Sequence, residues 1–250
     1  MDKNLFRIPF KPRQGERRPA AEVRRIAVLG ASRGAGCSFA CGLLARELSG
    51  RGLVTLAELG SPYFYAAMGM ERRFVTRPFA FYSAIINNGG ALKTVCNMEE
   101  GINWALKAQR EPASAEPLAV FRCFMSIPGD IIVFDCGGLE KQTAKSIMEE
   151  ADSAVVVIDP MPSRLFEGFE LLEELRLRIP KLICVVNKMN GGVHRGELKR
   201  FLGSGDYIAL PLLDGSLLYR AEFSCMLPAD MPEVRAAVEE PLKQLARRLL

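Results

Sequence analysis

The residues best placed to do chemistry lie in three short stretches. Leu29-Gly-Ala-Ser-Arg-Gly-Ala-Gly-Cys-Ser38 ends an apolar run and opens a segment with helical spacing. A glycine loop at a helix N-terminus exposes backbone N–H groups that can wrap a phosphate, so Arg33, Gly34, Ala35, Gly36, Cys37 and Ser38 are candidate phosphate contacts. The second stretch is Asp135-Cys136-Gly-Gly138, a carboxylate closing an apolar run ahead of two glycines, as suits a ligand for a metal-bound water. The third is Asn187-Lys-Met-Asn190, where a base-reading loop would lie. Asn190 stands where an acid would be needed to read guanine, so guanine is not supported, and Asn187 is a candidate contact for adenine. Each stretch also has a plain structural reading: a tight turn, a strand-end acid, a polar turn. Their order and spacing together favour the chemical one.

The elements that must position these residues follow from periodicity. Arg25–Gly30, Leu53–Leu59, Asp130–Asp135, Ser153–Asp159 and Lys181–Asn187 read as strands, each a nearly continuous apolar run. Between them, Ser38–Leu48, Glu140–Ala151 and Ser163–Arg176 read as amphipathic helices, the last with Leu165, Phe166, Phe169, Leu172 and Leu175 on one face. Such alternation predicts an α/β fold: a doubly wound, mostly parallel sheet with helices on both faces, three layers in all. Residues 71–129 read as an insertion, with a turn at Asn87–Gly90, a helix over Met98–Gln109 carrying the only tryptophan, Trp104, and a Pro/Ala/Ser stretch at 112–117. A basic N-terminal tail, 1–22, precedes one domain over 23–250.

Against the P-loop pattern G-x-x-x-x-G-K-[ST], aligned on Gly36 and Ser38, the first glycine is Ala31 and the lysine is Cys37. The cradle and the hydroxyl are present and the charge is not. Taken together, these residues resemble the MinD/ParA family of deviant Walker A ATPases, including the pilus-localisation proteins TadZ and CpaE, from about Arg25 onwards. The family loop K-G-G-x-G-K-[ST] corresponds to Ser32–Ser38, so Ser32 and Cys37 stand where its two lysines would be. Of the acidic residues that usually end its second strand, Glu58 takes the first place and Gly60 the second. Tyr207–Leu213 and Ser224–Asp230 resemble its final strand and the loop bordering the base. The resemblance implies ATP with Mg²⁺, the metal held by Ser38 and Asp135, together with a homodimer and protein partners. It implies a spatial organiser or assembly factor, of pilus or secretion type. Without the lysine and the second acid, ATP hydrolysis is expected to be weak or absent. The alternative is a working Mg-ATP dimerisation switch in which Arg33, or a residue of a second subunit, replaces the lysine. Arg33 pointing to solvent is the simpler expectation.

Composition narrows the remaining classes. At 49% hydrophobic residues the chain can bury a large core, and no apolar run approaches the length of a membrane span. The first twenty residues carry six basic and two acidic side chains, which accounts for the whole net charge of +4 and argues against a nucleic-acid-binding body. The tail alternates Leu5, Phe6, Ile8 and Phe10 with basic residues. It suits an anionic membrane surface, but Pro9 and Pro12 favour a solvated arm. The last nine residues, from Leu242, form a basic amphipathic pattern that fits either a membrane helix or, preferably, a helix closing on the sheet. Cytoplasmic localisation is expected, with peripheral contact at the inner face of the membrane as the variant. Seven cysteines occur without a CxxC pair. Cys37, at a helix N-terminus, is expected to have a lowered thiol pKa, and Cys41 lies one turn later; packing is the preferred role for both over redox or metal binding.

Overall fold

The computed structural model describes residues 23–82, 84, 97–109 and 116–250. The tail and the Asn87–Gly90 turn lie outside them, as does most of the Pro/Ala/Ser stretch. Eight strands form one sheet: β1 (Arg24–Gly30), β2 (Val54–Glu58), β3 (Met98–Glu99), β4 (Ile102–Ala105), β5 (Ile131–Asp135), β6 (Ser153–Ile158), β7 (Leu182–Met189) and β8 (Ile208–Pro211). Their order is β3-β4-β2-β5-β1-β6-β7-β8, and every pairing is parallel except β3 with β4. Strands buried on both faces have no polar side to show, which is why they read as unbroken apolar runs.

Helices cover both faces. On one, α1 (Cys37–Leu48) and the closing helix (Pro232–Leu249) pack on the sheet through Leu44, Leu48, Leu242, Leu245 and Leu249, all buried. The apolar side of the closing helix is thereby used up inside the fold, as the sheet-packed reading requires. On the other face lie helices over Pro117–Ser126, Lys141–Glu150 and Pro162–Arg178, with Phe124, Ile147, Leu172 and Leu175 in a second core layer. No described helix is long and apolar enough to cross a membrane.

Two expectations are corrected. Met98–Gln109 is not a helix: β3 and β4 form a tight hairpin through Glu100 and Gly101, both at positive φ. β4 extends the sheet beside β2, and Trp104, 1% exposed, packs against Phe64. A four-residue run buried on both sides carries no periodicity to separate strand from helix. In the Pro162–Arg178 helix, Leu172 and Leu175 are buried but Phe166 is 86% and Phe169 44% exposed. The close-packed line there runs through Gly168, where a Cβ would lie 2.9 Å from that of Ala31. The contact turns Phe166 outward.

The topology also sets where a ligand can sit. From β1 the chain passes over β5 to reach β2, whereas from β5 it passes over β1 to reach β6. The carboxyl ends of β1 and β5 therefore flank the point at which the winding direction reverses, where open α/β sheets leave a crevice.

Candidate functional site

The loop from Ala31 to Gly36 leaves β1 and turns into α1 at that crevice. Gly36 sits at φ 100°, and a Cβ there would come 2.3 Å from Asn187 Nδ2, so only glycine fits. The Asn187 amide reaches over from β7 and donates to Ala35 O at 2.9 Å, while its Oδ1 accepts from Lys188 N at 2.9 Å. Asn187 thus borders the site, with its amide holding the loop. Beside it, Lys188 adopts φ 60° and its Nζ donates to Gly34 O at 2.8 Å and Asp159 Oδ2 at 2.6 Å. Neither Lys188 nor Asp159 figured among the expected site residues; the Asn-Lys dipeptide closing an apolar strand was the available signal.

The remaining loop positions lack a cation directed inward. Arg33 is exposed, and its backbone N–H donates to Glu167 Oε1 at 3.2 Å. Ser32 is buried and its hydroxyl has no hydrogen-bond partner. Cys37 Sγ lies 3.1 Å from both Val28 O and Asp135 Oδ1, with a single thiol proton to donate between them. The expected lowering of its pKa is overturned. A hydrogen bond with Cys41 favours the thiolate, but burial and the charge of Asp135 outweigh it and push the thiol up to about 11. Burial likewise raises Cys41.

Asp135 closes β5 opposite the loop and is 2% exposed. Its Oδ1 accepts from Gly137 N at 2.8 Å, and its Oδ2 is buried without a partner. Burial raises its pKa, opposed by hydrogen bonds from Ser38, Cys37 and Gly137. The structure thus brings Ser38, Cys37 and Asp135 together.

Glu58 differs from expectation. Its carboxylate accepts from Tyr63 N at 2.7 Å and Phe64 N at 2.6 Å through one oxygen, and from Lys107 N at 3.1 Å through the other. It is an anchor for three backbone segments, raised to about 7 by burial against those hydrogen bonds. The absence of an acid at Gly60 also has a packing reason: a Cβ there would stand 2.0 Å from Gly137 O.

Beyond Ser38 and Gly36 the crevice widens into a groove of about 290 Å³. Its walls are mostly apolar, with Phe39, Tyr63, Met68, Leu218 and Met226 among them, and Asn187, Lys188 and Glu222 as polar points. A phosphate can fit the loop and a flat, apolar-faced group can fit the groove; no described loop residue directs a cation between them, and the Lys188 ammonium beside the loop is held by Gly34 O and Asp159.

No sequence-family model matches the chain, and no curated protein sequence does. Solved structures do. A ParA family ATPase from Chlorobium tepidum superimposes with TM-score 0.70 at 14% identity, over 90% of this chain and 98% of that one. MinD of Pyrococcus horikoshii, solved with Mg-ADP, gives 0.68 at 13% identity, over 89% and 96%. MinD in a MinC:MinD complex from Aquifex aeolicus gives 0.68 at 14% identity, again over 89% and 96%. The fold is that of the ParA and MinD ATPases.

Proposed function

We propose that this chain is a MinD/ParA-type protein with a degenerate nucleotide site, TadZ/CpaE-like in kind, acting as a spatial organiser or assembly factor for a pilus or secretion system. ATP hydrolysis is weak or absent, and the work is done by surfaces that meet a protein partner or a second copy. The observation carrying this reading is Cys37. Where an ammonium would neutralise the phosphates there is a thiol directed at Asp135 and Val28 O. With Arg33 exposed, no side chain in the loop is placed to stabilise charge on a transferring phosphoryl group, and Glu58 is engaged by three backbone N–H groups rather than by water or metal. The MinC:MinD complex supports a partner-binding role by analogy of fold.

A second reading, a Mg-ATP-dependent dimerisation switch, draws on the groove and on the Mg-ADP bound by the Pyrococcus protein. In it Ser38 and Asp135 would hold Mg²⁺, the backbone from Arg33 to Ser38 would cradle the phosphates, and Asn187 would border the adenine. The buried, unpartnered Asp135 Oδ2 suits a cation; the triphosphate charge is what the loop leaves unmet.

Calorimetric titration of Mg-ATP into the full chain, with Asp135→Ala and Ser38→Ala alongside, separates the two. The organiser reading expects no heat up to millimolar ATP, or binding without turnover. Turnover of about 1 s⁻¹ or more, lost in Asp135→Ala, overturns it. ATP-dependent dimerisation would put the switch in its place, since a switch needs different affinities for two states.

A further inference from the structure

We propose that Cys37, Cys41 and Asp135 form a binding site for one thiophilic divalent cation of the zinc class. Their ligand atoms lie within 4.8 Å of one another in the described structure. In a tetrahedral site with ordinary zinc–sulfur and zinc–oxygen bonds, neighbouring ligand atoms are about 3.5–3.8 Å apart, so the cluster needs to contract by roughly 1 Å. Cys37 Sγ stands 3.1 Å from Asp135 Oδ1, so this pair opens by about 0.4 Å while wider pairs close. One turn of α1 puts both thiols on the same side of the helix, and β5, paired with β1 at Val28–Asp135, holds the carboxylate opposite them.

A second observation, independent of the thiols, points to a cation. Asp135 Oδ2 is buried and accepts no hydrogen bond, in a residue that is 2% exposed. Leaving a buried carboxylate oxygen unpaired is costly, and a metal ion would satisfy it.

The donor set selects the ion. Two thiolates disfavour Mg²⁺ and Ca²⁺, which take oxygen ligands, and the carboxylate disfavours Cu⁺. Binding replaces two thiol protons with one metal ion and releases them to solvent, and the fourth position is left to water or to the Ser38 hydroxyl. Cys136 is not a ligand, because its Sγ is directed at Phe134 O in the opposite core layer. The half-buried Cys37 gives the ion a path from the loop. The site goes beyond the organiser reading and needs no nucleotide, although Asp135 cannot serve this ion and Mg²⁺ together.

The test uses the reduced, metal-free full chain without nucleotide. Zn²⁺ is titrated against a chromophoric chelator, and Co²⁺ is added in parallel as a spectroscopic probe. We expect one equivalent of Zn²⁺, a thiolate-to-cobalt charge-transfer band and the strong visible bands of tetrahedral cobalt. Cys37→Ser, Cys41→Ser and Asp135→Asn should each lower Zn²⁺ affinity at least about 10-fold, and Cys184→Ser, on β7 in the other core layer, should not. Absence of the charge-transfer band in the folded wild-type chain overturns the proposal whatever the variants do. So does Zn²⁺ affinity unchanged in Cys37→Ser and Asp135→Asn. Mg-ATP calorimetry reports separately on the nucleotide reading, so either can fail alone.

Discussion

The two ends of the crevice differ in how their groups are used. At the loop end three polar side chains are committed to the protein itself: Asn187 to Ala35 O, Lys188 to Gly34 O and Asp159, Glu58 to three backbone N–H groups. In the groove a few Ångströms on, apolar side chains face open space, and Tyr63 and Leu218 are partly exposed. The contrast teaches that a phosphate-cradle shape and a phosphate-binding charge are separable properties. The shape is kept by contacts the fold needs anyway, such as the Gly36–Asn187 fit. The charge would have to come from side chains, and neither Ser32 nor Cys37 carries one.

Substitutions at the two ends should therefore cost different amounts. The largest effect is expected from Gly60→Ala, which drives a Cβ into the Gly137 backbone. A loss of about 3 kcal/mol in urea unfolding is expected, because backbone cannot swing aside as a side chain can. A loss under about 1 kcal/mol would mean that the loop end yields as readily as the groove. Next comes pH. Glu58, ordinarily at 4.5, is raised to about 7, so between those values the folded state holds more protons than the unfolded one. Stability should fall as pH rises through that window, by on the order of 2–3 kcal/mol, and level off above it. Glu58→Gln should flatten the slope. Asn187→Ala, which strands Ala35 O and Lys188 N, should cost about 2 kcal/mol and speed amide exchange in the loop. Leu218→Ala, on the groove wall and 37% exposed, should stay within about 1 kcal/mol, and Arg33→Ala within about 0.5 kcal/mol.

Most of the parallel sheet was legible in the sequence because its central strands are unbroken apolar runs; β5, β6 and β7 fall within two residues of the expected bounds at each end. The β3–β4 hairpin was not legible: Ile102–Ala105 is too short to show a period, and its strand character comes from the place beside β2. At the site, motif order offered Ser38 and Asp135 as a candidate metal pair, and it did not foretell that the Cys37 thiol faces Asp135. What motif order could not show is direction. Glu58 occupies an expected acidic position and turns its oxygens to Tyr63, Phe64 and Lys107. The Cys37 thiol was expected to be acidified by its helix, and the burial and neighbouring carboxylate that reverse this are three-dimensional facts. Lys188 reaches the loop only because β7 lies two strands from β1.

The bond from Asn187 to Ala35 joins residues 152 positions apart. During synthesis the loop leaves the ribosome long before its latch: at the usual pace of translation the interval is on the order of 10–30 s. Through that time β1 can emerge and α1 can coil, yet the glycine turn between them has no partner to set its left-handed step. Contacts of such long range are closed late because chain entropy must be lost first. The crevice is therefore expected to be among the last parts of the protein to take shape, and a nascent chain ending before β7 would carry the loop without its form.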